Sequence, residues 1–266
     1  MTAVHDWLAI IPARAASTRL PGKPLLDIAG LPMVVRVARQ AQASGASRVV
    51  IATDDEHIAR TVADYGHEVR LTASHHATGT DRLAEVCDQL QLDPETIVVN
   101  VQGDEPLIDP ALIARVAQTL AGQTAAPVAT AACPITSAQT LFNPNVVKVV
   151  CNQANQALLF SRAPIPWARD ALADGVQRLA PGLPAWQHIG VYAYRARFLR
   201  QFPQLSPGRL EVIESLEQLR VLEHGHGIVV HHTNAAPHGG VDTPDDLARV
   251  RAWFAAQAGS APARDS

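Results

Sequence analysis

The stretch LAIIPARAASTRLPGKPL, residues 8–25, changes character at its middle. Residues 8–13 form an unbroken apolar run, the pattern of a strand covered on both faces. The next ten residues gather Arg14, Arg19 and Lys23 together with Pro21 and Gly22, ahead of Pro24. Core packing has no use for three cations in a stiff loop at a strand's end. Arginine offers a planar fork to phosphate oxygens, lysine offers a point charge, and loop N–H groups add to the anion field. A solvated surface loop is the plainer alternative. The loop is neither a Walker A sequence nor a GxGxxG turn, so it suggests phosphate without identifying the ligand.

Working outward, apolar runs alternate with helical patterns through the first half. PMVVRVARQAQAS (32–44) follows with a proline at a tolerated helix start, SRVVIATD (47–54) is a second strand, and DEHIARTVADYG (55–66) is a short helix closed by glycine. TIVVNVQGDEP (96–106) is a third strand ending in an acidic turn, and PALIARVAQTL (110–120) is the next helix. Buried strands separated by amphipathic helices imply an α/β fold with βαβ crossovers and a mostly parallel central sheet. Ligands in such sheets bind beyond the strands' carboxyl ends. Two of these strands run into dense polar loops there, 14–23 and 102–105.

The second half differs. NVVKVVC (145–151), QALLFSR (156–162) and QHIGVYAYR (187–195) read as strands with few helices between them, a smaller mixed or antiparallel section. Residues 163–186, rich in proline, read as a surface loop or lid. VIESLEQLRVLEHG (212–225) reads as one helix with Ile213, Leu216, Leu219 and Leu222 on one face. GIVVHHT (227–233) is a late strand and TPDDLARVRAWFAAQ (243–257) a last helix. The expected organisation is a single domain over 1–258 in two parts, mainly 1–135 and mainly 136–258, with a disordered tail over 259–266.

The 266 residues carry a net charge of −3, which argues against a nucleic-acid-tracking surface. Cys87, Cys133 and Cys151 are odd in number and widely spaced, so neither a disulfide framework nor a zinc knuckle is expected. No apolar run reaches the roughly 18 residues of a membrane span, and the first residues lack a signal peptide's pattern, so a cytoplasmic protein with no membrane partner is expected.

A triphosphate site usually holds magnesium, which takes a few carboxylates plus water and phosphate oxygens. Asp104 in VQGDEP and Asp242 in GGVDTPDD stand where such a ligand is needed. Each has a bland alternative: a turn acid before Pro106 for Asp104, and an acid at a helix N-terminus for Asp242. For Asp242 the two roles weigh about equally.

The blocks IIPARAASTRLPGKPLLDIAG, TGTDRLAEV, VNVQGDEPLI, NPNVVKVV, FSRAPIPW, HIGVYAYR, ESLEQLRVLEHG and GVDTPDDL, in that order, closely resemble the CMP-KDO synthetases. These cytidylyltransferases activate 3-deoxy-manno-octulosonate (KDO) with CTP for lipopolysaccharide biosynthesis. The resemblance implies a Rossmann-like nucleotidyltransferase fold, Mg²⁺ as cofactor and a homodimer, with the nucleotide-binding part mainly over 1–135 and the sugar-binding and dimerisation part mainly over 136–258. It implies that Arg14 and Lys23 contact the triphosphate with Ser17 and Arg19 nearby, that Thr80 and Arg82 serve the nucleotide, and that Asp104 and Asp242 hold the metal. It places Gln102, Arg162, His188, Tyr192, Glu211 and Glu214 around the sugar acid. For Glu211 and Glu214, charge compensation at a helix N-terminus is the competing role, and for Thr80 it is a helix cap.

Two other readings compete. One is a CMP-sialic acid synthetase-like enzyme for another acidic sugar. The other is a non-catalytic nucleotide-binding protein, disfavoured because Lys23, Asp104 and Asp242 are all present.

Overall fold

A computed structural model describes residues 6–14, 20–76, 78–172 and 178–259. In chain order the strands are β1 (Trp7–Pro12), β2 (Asp27–Ile28), β3 (Leu31–Pro32), β4 (Arg48–Thr53), β5 (Glu68–Leu71), β6 (Ile97–Asn100), β7 (Val128–Pro134), β8 (Lys148–Cys151), β9 (Ala157–Ser161), β10 (Trp186–Arg195) and β11 (Ile228–His232). The helices are α1 (Met33–Ala43), α2 (Glu56–Asp64), α3 (Gly79–Gln89), α4 (Pro110–Ala121), α5 (Ala138–Phe142), α6 (Ala196–Gln201), α7 (Arg209–Glu214), α8 (Gln218–Glu223) and α9 (Pro244–Gly259).

The main sheet runs β11-β7-β10-β6-β1-β4-β5. β1 pairs in parallel with both β4 and β6, and β4 with β5. β10 runs antiparallel to β6 and to β7, while β11 is parallel to β7. One reversed strand therefore sits inside a mostly parallel sheet, and the β8–β9 pair extends it from the start of β10.

Alternation along β1 explains why its sequence is apolar throughout. Ala9 and Ile11 join the cluster under α1, α2 and α4, while Leu8 and Ile10 join the cluster under α3 and α6. A strand covered on both faces cannot carry a polar side. A third cluster seats α9 on the β2–β3 ribbon through Ile28, Met33, Val241, Leu247 and Val250. That contact brings the segment before α9 back to the first loop.

The chain proceeds outward from β1 to β4 and β5, then returns to the far side of β1 as β6. Strand order reverses between β1 and β6, and that crevice is where an open α/β sheet receives its ligand.

Two expectations need correction. Residues 212–225 are not one helix: α7 ends at Ser215, which takes a left-handed φ of 51°, and α8 starts anew at Gln218. Ile213 is consequently 78% exposed, while Leu216 and Leu219 are buried. The break is held from outside the segment: Arg162 Nε donates to the Glu214 carbonyl at 2.7 Å and Nη2 to the Ser215 carbonyl at 3.4 Å. The proline-rich excursion is also not purely a surface loop. Its return limb is pinned by Ala185, which packs with Ile135 and Leu141 and accepts a hydrogen bond from the Ile135 N–H at 2.9 Å. Residues 173–177 of that excursion, and 260–266 of the expected tail, lie outside the described residues.

Candidate active site

A cleft of about 430 Å³ opens at the strand-order reversal. Arg14 enters it from the end of β1, Gln102 and Asp104 from the end of β6, Lys23 from the first loop, and Asp242 from the segment before α9. Thr78, Gly79, Arg82 and His76 close it from the start of α3.

Local geometry brings these loops together. Gly22 takes φ +66°, turning the first loop so that Lys23 begins a short 3₁₀ turn with Pro24. Gly103 is required by close approach: a Cβ there would stand 2.6 Å from the Pro12 carbonyl oxygen, so any side chain would pry the β1 and β6 ends apart. The Val241 N–H donates to the Asp104 carbonyl at 2.9 Å, which ties the two acid-bearing loops.

At the centre, Lys23 Nζ donates to Asp104 Oδ2 at 2.7 Å and to Asp242 Oδ1 at 2.9 Å. Burial works against the ammonium charge, but Asp104 and then Asp242 outweigh it, and the Lys23 pKa is raised. Two carboxylates from distant parts of the chain thus converge on one position already filled by a cation. Among the described residues no group of three or more His, Cys, Asp or Glu forms a metal site. Two hard carboxylate oxygens, with the remaining positions left to water and phosphate, fit magnesium. Glu105 beside them does not add a full charge at neutral pH, because burial and then the Asp104 charge push its carboxyl up to about 7.

On the nucleotide side, the helix cap is Thr78, not Thr80. Its Oγ1 accepts from the Asp81 N–H at 3.1 Å and Asp81 Oδ2 accepts from the Thr78 N–H at 3.1 Å, a reciprocal capping box. Thr80 is buried away from the cleft lining, its hydroxyl donating to Glu217. Arg82 Nη2 donates to Asp54 at 3.1 Å and Nη1 to Thr72. Ser17 and Arg19 lie outside the described residues. Thr78 and His76 were missed in the sequence, though T-x-x-D before an apolar run was a legible cap signal. His76 meets Glu85 across the cleft wall.

Apart from Gln102, which lines the cleft after β6, the residues assigned to the sugar acid fall on and beside β9, β10 and α7. His188 and Tyr192 share a face, with ring centroids 5.3 Å apart, and Phe160 meets the His188 ring edge-on at 5.0 Å. Thr130 has one hydroxyl proton, best placed toward the Val191 carbonyl at 2.8 Å, so the His188 Nε2–H donates to Thr130 Oγ1 at 3.0 Å. That assignment leaves the Nδ1 lone pair as the ring's acceptor.

Glu214 accepts from the Ser161 hydroxyl at 2.6 Å and the Arg162 N–H at 2.8 Å. Arg162 spends Nε, Nη1 and Nη2 on the carbonyls of Glu214, Pro144 and Ser215. Three of its five N–H groups are used, so two remain for a carboxylate. Glu211 is engaged within the protein on both oxygens, by Arg220 at 2.5 and 2.8 Å and by the Gly208 N–H at 3.0 Å. Beneath this group lies Lys148, fully buried, its ammonium donating to the carbonyls of Asn143, Val146 and Arg162 at 3.0, 2.6 and 2.6 Å.

Burial pushes the His188 imidazole down to about 3. A histidine that resists protonation when folded but takes a proton near pH 6.5 when unfolded removes stability as pH falls below 6.5. Between pH 6.5 and 5 this site is expected to cost about 1 kcal/mol, a part of the ~1.4 kcal/mol per unit limit because the ring is partly exposed. Urea denaturation at the two pH values should show a shallower pH dependence in His188→Gln than in the parent chain. Equal slopes would mean that His188 protonates freely in the folded state.

A family model described as Cytidylyltransferase matches residues 8–228. A protein of Methylibium petroleiphilum named 3-deoxy-manno-octulosonate cytidylyltransferase is 57% identical over 264 residues, covering 98% of this chain and 99% of its own. A solved structure of a CMP:2-keto-3-deoxy-manno-octonic acid synthetase complexed with CTP superposes with a TM-score of 0.86 at 41% identity, covering 95% of this chain and 99% of that one. A cytidylyltransferase structure from Leptospira borgpetersenii serovar Hardjo-bovis, 16% identical with a TM-score of 0.61 over 95% of this chain and 88% of that one, shares the fold.

Proposed function

The chain belongs to the cytidylyltransferase family, among the 3-deoxy-manno-octulosonate cytidylyltransferases, and from that membership we propose that it transfers the cytidylyl group of CTP to the anomeric hydroxyl of KDO. The products are CMP-KDO and pyrophosphate, for lipopolysaccharide biosynthesis. The observation that carries the reading is Lys23 held between Asp104 and Asp242 in the same cleft as Arg14, at the strand-order reversal.

In the reaction, the sugar's anomeric oxygen bonds to the α-phosphorus as the bond to the pyrophosphate oxygen breaks. Negative charge grows on the leaving pyrophosphate and on the α-phosphoryl oxygens. Arg14 and Lys23 line the cleft and stabilise that charge. Asp104 and Asp242 would hold Mg²⁺. When bound there, the ion supplies charge neutralisation and lowers the pKa of the attacking hydroxyl. Gln102 borders the same cleft. Arg162, with two N–H groups to spare, takes the sugar carboxylate, while the His188 Nδ1 and the Tyr192 hydroxyl serve the sugar hydroxyls. Arg82 and the first turn of α3 serve the nucleotide. Glu211 and Glu214 act by holding the wall that carries Arg162.

The test is pyrophosphate release with Mg²⁺, run as four nucleotides against KDO and N-acetylneuraminate. Release with CTP and KDO alone is expected. Release with CTP and N-acetylneuraminate instead would keep the chemistry and replace the sugar.

No helix among the described residues is long and apolar enough to cross a membrane. A cytoplasmic location accords with use of CTP. A homodimer accords with α7, where Val212 and Ile213 are 67% and 78% exposed. Light scattering is expected to give twice the 28.4 kDa chain mass, and Ile213→Glu is expected to shift it toward the single-chain value. A dimer unchanged by that substitution would place the interface elsewhere.

A further inference from the structure

Glu217 lies at the N-cap of α8 and does not line the cleft. Its carboxylate nevertheless reaches the first turn of α3, far away in the chain. It accepts from the Thr80 hydroxyl. Thr80 has one hydroxyl proton, and it is committed to Glu217.

We propose that Glu217 is a positioning residue that fixes the first turn of α3, the nucleotide side of the cleft, against α8. The inference rests on the cleft being a CTP site. Three observations carry it beyond structural filling. The residue it anchors, Thr80, belongs to the turn whose Thr78, Gly79 and Arg82 line the cleft. The anchoring group is a carboxylate set at the amino end of an 11-residue helix, where its charge complements the helix dipole. The segment that supplies it also bears Glu214, which holds Ser161 and Arg162 on the sugar side. One short segment, 214–217, therefore touches both substrate sides, and Glu217 is its link to the nucleotide.

The carboxylate is acceptor-only and charged, which strengthens the bond from the Thr80 hydroxyl. An amide of the same shape accepts through a neutral oxygen only, and it loses the charge at the helix N-terminus. Glu217→Gln is expected to weaken CTP binding about tenfold, read by calorimetry on the full chain and as KM for CTP. kcat and KM for the sugar acid should stay within about twofold, as expected for a group that acts on one side only. Thr80→Val, which keeps shape and loses the donor, should reproduce the CTP defect. The double variant should be no worse than either single one, since both break the same contact.

Full CTP affinity in Glu217→Gln, beside normal binding in the parent chain, overturns the inference. So does a parallel loss of CTP binding, sugar-acid KM and thermal midpoint, which marks a general structural role. If the parent chain does not bind CTP, it is the cytidylyltransferase reading that fails. Should Glu217→Gln not fold, Thr80→Val decides by the same criteria.

Discussion

Asp104→Asn is expected to lower turnover about a thousandfold while weakening CTP binding far less. Asparagine has nearly the same shape, and the Asp104 contact to the second acid-bearing loop is made by its backbone carbonyl, which accepts from Val241 N–H. Loop placement therefore survives the change. What disappears is one of two negative charges converging on the position now held by Lys23. CTP keeps Arg14, Lys23 and the α3 turn, so its affinity depends only partly on Asp104. The pentavalent transition state, where charge spreads over the α-phosphoryl oxygens, depends on it far more. Asp242→Asn should move both quantities in the same direction. Single-turnover rates and calorimetric CTP affinity measured on the same variants separate the two effects. A near-normal rate in either variant would remove that aspartate from the metal set.

Where local pattern decides structure, the sequence was informative. Trp7–Pro12 and Ile97–Asn100 form strands because their apolar side chains alternate between two covered faces. α4 begins behind Asp109, whose side chain caps the Ala111 N–H at 2.9 Å, with Pro110 at its first position. The break at Ser215 was not legible, because it is enforced by Arg162 from a remote strand, whereas the segment's own spacing favours a continuous helix. The same limit applies to the site. Lys23, Asp104 and Asp242 stood out because each follows a strand or precedes a helix in a polar, glycine-containing loop. Glu217 did not, since a glutamate in a helical, charge-rich segment looks like solvated surface until its tertiary partners are seen. Arg220 is similar: it reads as a surface charge, yet it is buried over the Phe202 ring and paired with Glu211.

Lys23→Met carries the second large effect, and it has two readouts that move in opposite directions. In the free protein the Lys23 ammonium offsets half the charge of the Asp104–Asp242 pair, and those acids keep its pKa raised against the opposing effect of burial. A raised lysine pKa means the contact is complete at neutral pH and weakens only as pH climbs above the ordinary value of about 10.4. A divalent cation reaching the same carboxylates must displace the ammonium, and a triphosphate offers the ammonium new anionic partners. Lys23 thereby makes metal and nucleotide binding depend on each other. Without it, the two carboxylates face each other uncompensated. Nucleotide-free Mn²⁺ affinity, read by calorimetry or paramagnetic resonance, should rise about tenfold, in line with a typical coupling energy. kcat/KM should fall about a hundredfold or more, because one cation is lost from the leaving-group side. Unchanged Mn²⁺ affinity would mean that Lys23 does not occupy the metal's place. Tighter Mn²⁺ binding with a preserved rate would leave it as a place-holder with no part in stabilising the leaving pyrophosphate.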